Sequence, residues 1–561
     1  MNLRVEIMDR RYVDWIWRDA TTQDEVDCNL NPLDLHLFSG DVVNETGELV
    51  RSDHMNSTTI PGVLVVDGKT YGRSKNKLIY KCVPDNPKLP SFLVPYDQKS
   101  NTFNKKKTNK YIVFRIREWS GKHPTGIIMN TIGDVDDLDN FYEYQLYCKG
   151  LNNSIQHFNR AVSNSLKKSL SKHPVDEIME KNVDIEDRTG CHTFSIDPRG
   201  CQDFDDAFSL IETAQGHVVS IYIADVMVWI EHLDLWKHFT ERVSTIYFPD
   251  KKRPMLPSML SDKLCSLQEG QRRFAFAMDI HIADDKISKV EYSKTVINIR
   301  RNYEYEEPEL MKEESYRSLF ALTKALSKNY TYLDSLGDSH DVVAFYMIMM
   351  NHQASRTMGT YKNGIYRSAQ AGQNESVPSV LSSNVRQFMK IWKCSAGRYS
   401  CFEDRKSHDL IASGLDTYIH ITSPIRRLVD LLNMIVLQHN LKLGGSEPSD
   451  AAMGFYESWV ERLDFINTTM RSVRKVQSDC SLLHMYVDGS LGSTYSGCLF
   501  DKTSKSDDKF GYMVYIPELK IVSRIATEYD YDNYSMMRFT THLFMDEAKL
   551  NKKIRLQIVT D

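Results

Sequence analysis

Thr193-Phe-Ser-Ile-Asp-Pro-Arg-Gly-Cys-Gln-Asp-Phe-Asp-Asp-Ala-Phe crowds four aspartates, Asp197, Asp203, Asp205 and Asp206, into ten residues. Carboxylates held this close raise one another's pKa, and some must take up a proton unless a cation compensates. Arg199 is the one basic residue in the stretch, and a single guanidinium cannot balance four negative charges. Hard divalent cations such as Mg²⁺ take oxygen ligands of this kind. Two such ions about 4 Å apart are a recurring device of phosphodiester chemistry. Pro198 and Gly200 punctuate the cluster as turn residues do, so the segment reads as a tight loop that folds Asp197 back towards the other acids. Alternation along an extended segment would put Asp203 and Asp205 on one face and Asp206 on the other. A loop can converge all four. Phe204, Ala207 and Phe208 draw the segment towards a core, which argues against a solvated acidic turn. A calcium loop counted from Asp203 would need Gly and Glu where Phe208 and Ala214 stand. A single structural magnesium without catalysis stays open from these residues alone.

Working outward, 561 residues are too many for one ordinary core and suggest roughly three or four domains. With 41 % hydrophobic and 26 % charged residues the composition is that of a globular protein. The formal net charge of −5 gives no global positive field, so any nucleic-acid site must be a local basic surface. The ten cysteines are scattered without a Cys-x-x-Cys pair, which argues against structural zinc and for reduced thiols in a cytosol-like compartment. Charges occupy the N-terminus where a signal peptide needs an apolar core. The longest apolar run, around Ala344 to Met350, is far short of a membrane span. A cytoplasmic protein without membrane association is expected.

Residues 1–55 are mixed and polar and suggest a capping or docking segment. Residues 56–151 turn strand-like, with Val63-Leu-Val-Val, Leu78-Ile-Tyr-Lys-Cys-Val, Phe92-Leu-Val-Pro-Tyr and Tyr111-Ile-Val-Phe-Arg-Ile separated by turn residues, the pattern of a small barrel. A polar helical stretch over about 153–181 leads to the acidic motif. His217-Val-Val-Ser-Ile-Tyr-Ile-Ala-Asp-Val suits a buried strand. The texture is helical from about 315 to 441, with Asp341 to Met358 and Arg426 to Leu441 as helix candidates, and again over 450–488. Residues 489–561 return to strands and turns and suit a second small barrel.

The acidic stretch, Asp197-Pro-Arg-Gly-Cys-Gln-Asp-Phe-Asp-Asp-Ala, resembles the signature of the RNase II (RNB) family of 3′-to-5′ exoribonucleases. Further segments resemble that family in the same order: Ile221-Tyr-Ile-Ala-Asp-Val, Tyr247-Phe-Pro-Asp, Pro254-Met-Leu-Pro, Leu264-Cys-Ser-Leu, Asn302-Tyr-Glu-Tyr-Glu-Glu, His408-Asp-Leu-Ile-Ala-Ser-Gly-Leu and Thr422-Ser-Pro-Ile-Arg-Arg-Leu-Val-Asp. His123-Pro-Thr-Gly-Ile-Ile-Met-Asn-Thr-Ile-Gly-Asp resembles the second cold-shock domain of exosome-type members. The resemblance implies a multidomain α+β protein whose central mixed α/β RNB core is flanked by OB-type barrels. Its parts would be a reduced first cold-shock domain (1–55), a cold-shock-like OB domain (56–151), the RNB domain (152–488) and an S1-like OB domain (489–561).

The resemblance also implies the chemistry: hydrolysis of single-stranded RNA to nucleoside 5′-monophosphates with two Mg²⁺ ions, or Mn²⁺, held by Asp197, Asp203, Asp205 and Asp206. Asp205 matches the indispensable family aspartate. Arg426 would bind phosphate, because a guanidinium fork can donate two hydrogen bonds, and Arg427 is a weaker candidate for the same task. Tyr247 would stack on the 3′-terminal base, and Arg367 would line the RNA channel. His352 and His408 read as packing or hydrogen-bonding residues. The implied partners are RNA and an RNA-processing complex, with the enzyme itself a monomer. Lys105 to Lys107, Lys251 to Arg253, Arg272, Arg273, Arg300 and Arg301 are further candidate phosphate contacts. Three positions depart from the family pattern: Leu428 after the paired arginines, Ser368 after Arg367, and Gln477 near a catalytic glutamate of bacterial members. A catalytically weak or inactive RNA-binding protein of the same fold and a DNA-directed nuclease are the competing readings.

Overall fold

The computed structural model describes residues 2–55, 59–97, 107–168, 174–333, 335–369, 377–393, 397–408, 415–443, 448–504, 509–547 and 550–559. Two compact units emerge: Met1–Asn152 with Phe248–Lys251 and Arg474–Asp561, and Asn153–Tyr247 with Lys252–Val473.

In the first unit, β1 (Leu3–Ile7), β2 (Trp15–Asp19), β3 (Val42–Val43) and β4 (Leu49–Arg51) form a sheet in the order β2-β1-β3-β4. Leu3, Val5 and Ile7 alternate inward and meet Trp17, Leu37 and Val43 in a small core of their own. Single alternate residues supply this core, which is why the polar texture of the segment concealed a sheet. Next, β5 (Ile60–Ser74), β6 (Lys77–Pro84), β7 (Phe92–Tyr96), β8 (Lys110–Glu118) and β9 (Thr125–Asp134) close a barrel in the order β5-β6-β7-β9-β8. Leu64, Tyr80, Phe92, Val94, Ile112 and Phe114 fill it. Gly126 is required at its closing edge, since a Cβ there would come within 2.8 Å of the Phe114 ring. The helix α1 (Leu138–Cys148) follows, capped by the Asp137 side chain, which accepts from the Asp139 amide.

The second unit begins with α2 (Gln156–Lys168) and α3 (Pro174–Lys181). Its six-stranded mixed sheet contains β10 (Glu186–Asp187), β11 (Thr193–Asp197), β12 (Asp206–Thr213), β13 (Gly216–Ala224), and, after α4 (Val226–His232) and a hairpin of β14 (Ile246–Tyr247) and β15 (Lys252–Arg253), β16 (Arg272–Ala283) and β17 (Lys286–Glu304). The order is β10-β17-β11-β12-β13-β16. β11 runs parallel to β17 and antiparallel to β12, and all five of its residues are buried. The helices α5 (Glu314–Leu326) and α6 (Ser339–Tyr361), the short pair β18 (Tyr366–Ser368) and β19 (Arg398–Ser400) with α7 (Ser383–Lys393) between them, then α8 (Leu428–Leu441), α9 (Asp450–Val460) and α10 (Leu463–Val487) complete it, α10 continuing into the first unit. One large core joins the sheet to α4, α6 and α8. α8 is buried continuously from Leu428 to Gln438, so it is enclosed on all sides, with Asp430, Asn433 and Gln438 as buried polar residues among its apolar ones. β20 (Tyr495–Ser504), β21 (Phe510–Ile516), β22 (Ile521–Thr527), β23 (Met536–Asp546) and β24 (Asn551–Ile558) end the chain as an antiparallel sheet in the order β22-β21-β20-β23-β24. Among the described residues no helix is long and apolar enough to cross a membrane. None of the nine described cysteines is in a disulfide.

A few buried polar residues tie the helices to the strand pair. Asn433 on α8 accepts from the Ile365 amide at 2.8 Å and donates to the carbonyls of Ile365 and His420, both at 2.9 Å. Asn433→Leu would bury those three backbone groups without partners, and each such group costs about 1–3 kcal/mol. We therefore expect a large drop in the urea midpoint of this unit; an unchanged midpoint would refute the account.

Candidate active site

The acidic stretch crosses from β11 to β12. Asp197 is the last residue of one strand and Asp206 the first of its antiparallel neighbour, so strand pairing itself brings them together. The intervening loop turns at Gly200, with φ +76°. It is pinned by Ser266, whose hydroxyl accepts from the Phe204 amide at 3.1 Å and donates to the Gln202 carbonyl at 2.8 Å. The Leu267 amide adds a bond to the Phe204 carbonyl at 3.0 Å. From β13, the Ala224 amide holds the Asp205 carbonyl at 2.8 Å.

Compensating charge comes from afar. Arg426 Nε donates to Asp205 Oδ2 at 2.8 Å, and the Ile425 amide donates to Oδ1 at 3.0 Å. Asp203 is held by both arms of the β14–β15 hairpin: Tyr247 Oη donates to Oδ2 at 2.8 Å and Lys252 Nζ to Oδ1 at 2.9 Å. Lys252 also donates to Asp262 Oδ1 at 2.8 Å. Besides Arg199, the one basic residue near in sequence, a guanidinium over two hundred residues away and a lysine on a hairpin thus bring positive charge to the acids.

The other two acids differ. Asp197 Oδ2 and Asp206 Oδ2 are buried without a hydrogen-bond partner. Burial, opposed by the Ser195 hydroxyl and the Arg426 charge, raises Asp197 to about 6. Burial also raises Asp205 to about 7 despite Arg426 and the Ile425 amide. Asp206 is pushed well above the carboxylate range by burial and then by the charges of Asp197 and Asp205. Orphaned carboxylate oxygens whose ionisation is suppressed fit a hard cation, which would satisfy both deficits. Among the described residues, no three acid, histidine or cysteine side chains stand close enough to form a ready-made cage. Asp203 and Asp205 are turned towards their protein cations instead. Burial lifts the Cys201 thiol to about 12, which removes it as a nucleophile.

The pKa shifts set a sign for pH dependence. Asp197 and Asp205 bind their protons more tightly folded than unfolded, so stability in chelator falls as pH rises from about 4 through 6 and 7. Asp197→Asn is expected to raise the unfolding midpoint in chelator at pH 7.5 by several degrees, and to flatten its fall between pH 5 and 7.5. Added Mg²⁺ is expected to stabilise the parent chain more at pH 7.5 than at pH 5.5. Scanning calorimetry at the two pH values checks both, and a parent midpoint that falls with pH no more steeply than the variant's would refute them.

The remaining sequence candidates separate. Tyr247 is 41 % exposed as a residue, and its hydroxyl is tethered to Asp203. Arg426 anchors Nη2 on the Ser423 hydroxyl at 2.9 Å. Arg427 turns to Asp430, a fully buried carboxylate, at 2.9 Å. Arg367 lies over the Tyr399 ring at 5.3 Å. Leu428 is fully buried at the start of α8, where it fills core. The Ser368 hydroxyl accepts from the Lys406 amide at 2.9 Å, and Gln477 is half-buried on α10. His352 bonds to Tyr332 Oη at 3.0 Å, and His408 packs against Tyr418. Arg272 and Arg301 pair with Asp176 and Glu307, and Arg273 is bonded to the Ser266 carbonyl at 2.8 Å. Lys105 and Lys106 lie outside the described residues. Sequence reasoning missed Tyr305: its amide donates to the Asp197 carbonyl at 3.0 Å, its ring stacks on His340 at 3.6 Å, and burial together with the charges of Asp206 and Asp197 raises its pKa. The signal available was its place in Asn302-Tyr-Glu-Tyr-Glu-Glu, one residue past the strand paired with β11.

Comparison with known proteins gives a concordant result. Residues 184–331 match the RNB domain model, and residues 79–144 match the Dis3-like cold-shock domain 2 (CSD2) model. The exosome complex exonuclease RRP44 of Mus musculus is 29 % identical over 257 residues, 43 % of this chain and 26 % of that protein. Ribonuclease R of Chlamydia muridarum is 32 % identical over 155 residues, 27 % of this chain and 22 % of that protein. The alignments thus span about a quarter of these relatives' lengths. Among solved structures, Mycoplasma genitalium RNase R in complex with ribose methylated single-stranded RNA superposes with a TM-score of 0.70 at 15 % identity, over 99 % of this chain and 100 % of that one. Yeast Ssd1, a pseudonuclease, superposes at 0.58 and 14 % identity over 93 % and 78 %. At such identities both likenesses speak for the fold alone.

Proposed function

The chain belongs to the RNase II (RNB) family, and we propose that it is a 3′-to-5′ exoribonuclease hydrolysing single-stranded RNA to nucleoside 5′-monophosphates. The observation that carries this reading is the set of four aspartates kept at the facing ends of β11 and β12, with Arg426 on Asp205. Asp197 and Asp206, through their orphaned oxygens, would hold divalent metal together with Asp203 and Asp205. Two Mg²⁺ ions, or Mn²⁺, supply Lewis-acid charge at the scissile phosphate when bound. The chain's own groups do the rest. Arg426 presents its guanidinium, 42 % exposed, to a phosphate oxygen. Tyr247 offers its ring face to the terminal base, a contact worth about 1–3 kcal/mol and tolerant of sequence. Arg367, steadied over Tyr399, faces the RNA backbone further along, and Arg427 joins it or braces the arginine loop through Asp430.

The test is release of monophosphates from an RNA with a free 3′ end, in Mg²⁺ and in chelator, against the same RNA with a blocked 3′ end. Cleavage that ignores the 3′ block sinks the exonuclease reading. Matched DNA serves as the control, since only RNA offers the 2′-hydroxyl. A second reading is an RNA-binding protein that has lost catalysis. It draws on the protein cations already seated on Asp203 and Asp205, and tight RNA binding without Mg²⁺-dependent turnover would favour it. Action as a cytoplasmic monomer, and association with an RNA-processing complex, belong to the same proposal.

A further inference from the structure

Lys252 stands between two carboxylates. Its Nζ is 2.9 Å from Asp203 Oδ1 and 2.8 Å from Asp262 Oδ1, and all three side chains are largely buried, at 19 %, 6 % and 16 % exposure. With Tyr247 on Oδ2, both oxygens of Asp203 are taken. The two arms act together because Tyr247 and Lys252 are direct partners in the β14–β15 register, and opposed residues of an antiparallel pair project to one face. A divalent ion cannot use Asp203 fully while this ammonium sits on it, and an ammonium released into a largely buried site needs another anion nearby. Asp262 is that anion. Its Oδ1 already accepts from Ser261 Oγ at 2.6 Å, and its carbonyl is fixed by Gln268 Nε2 at 2.7 Å, so the carboxylate is held ready.

We propose that Lys252 is a positioning residue, a resident counter-ion of Asp203 that is handed to Asp262 when a divalent cation arrives. This rests on the metal-assisted reading above. Lys252 thereby sets the threshold of metal loading, and Asp262 lowers it by receiving the displaced charge. Lys252 stays protonated throughout: burial alone would lower its pKa, but the hydrogen bonds and charges of Asp262 and Asp203 outweigh burial and raise it. Neither residue needs to touch RNA for this role.

The experiment is Mn²⁺ binding to the full chain, by titration calorimetry and by the paramagnetic resonance of free Mn²⁺. Lys252→Met is expected to bind about tenfold more tightly than the parent, because the competing ion pair is gone. Lys252→Gln, polar but uncharged, is expected to follow it, so the result does not hinge on one variant folding. Asp262→Asn is expected to bind several-fold more weakly, since Lys252 then has only Asp203. In the Lys252→Met background, Asp262→Asn is expected to change little, as a residue acting only through Lys252 must. Unchanged or weaker binding in both lysine variants overturns the proposal. So does an Asp262→Asn effect that persists without the lysine. Monophosphate release, measured alongside, keeps the two readings apart. The expected affinity order without hydrolysis fails the exonuclease alone, and hydrolysis with another order fails the counter-ion alone.

Discussion

Asp205→Asn is expected to lower monophosphate release by about a thousandfold or more while the chain stays folded, the scale on which loss of one preorganised charged contact acts in a dry site. Asp205 is 2 % exposed and accepts from two donors, the Ile425 amide and Arg426 Nε. The amide form keeps the shape and can still accept from Ile425. Its NH₂ would then face a guanidinium N–H, donor against donor, so Arg426 keeps only its Ser423 anchor as the site loses a charge. Stability is expected to hold or rise, because burial already pushes this carboxyl to about 7 and the neutral side chain avoids that penalty. The paired measurement is turnover on a 3′-free RNA and a denaturation curve. Full activity refutes the assignment, and an unfolded variant shifts the test to Asp206→Asn.

The adjacent arginines are expected to give crossed results. Arg426→Lys keeps the charge but loses the planar fork that reaches Asp205 and Ser423 together. We expect turnover to fall about a hundredfold with the unfolding midpoint nearly unchanged, since the side chain is 42 % exposed. Arg427→Ala strands Asp430, which is fully buried and otherwise held by the Ser423 amide at 2.8 Å. Breaking a buried pair from one side costs about 3–5 kcal/mol, so this variant is expected to lose stability first and activity only as a consequence. Comparable stability losses in the two variants would mean that Arg426 is structural as well.

The reach of the sequence was uneven for identifiable reasons. Val63–Val66, Leu78–Val83, Phe92–Tyr96 and Tyr111–Ile116 read as strands because β-branched and aromatic residues run together there between turn residues, and all four lie in the closed barrel. Asp341 to Met358 and Arg426 to Leu441 read as helices from their apolar density, and α6 and α8 occupy those stretches within a turn at their ends. The sheet of the first fifty residues was not legible, because its core is drawn from Leu3, Val5, Ile7, Trp17, Leu37 and Val43, dispersed among polar neighbours. At the site, a turn between two acids could be read from Pro198 and Gly200. That Arg426 and Lys252 meet those acids could not, since no local pattern encodes a contact across such separations.

By itself, then, the sequence determined that four carboxylates must share a small space and that a cation must answer them. Local spacing and charge are enough for that inference, since like charges a few residues apart cannot escape one another in a loop. Only the tertiary structure decided which acids are answered by the protein and which are left open. Pairing of β11 with β12 buries the orphaned oxygens of Asp197 and Asp206, while the arginine loop before α8 delivers Arg426 to Asp205 and the β14–β15 hairpin delivers Lys252 to Asp203. Electrostatic demand is a property of neighbours along the chain, and its satisfaction is a property of neighbours in space.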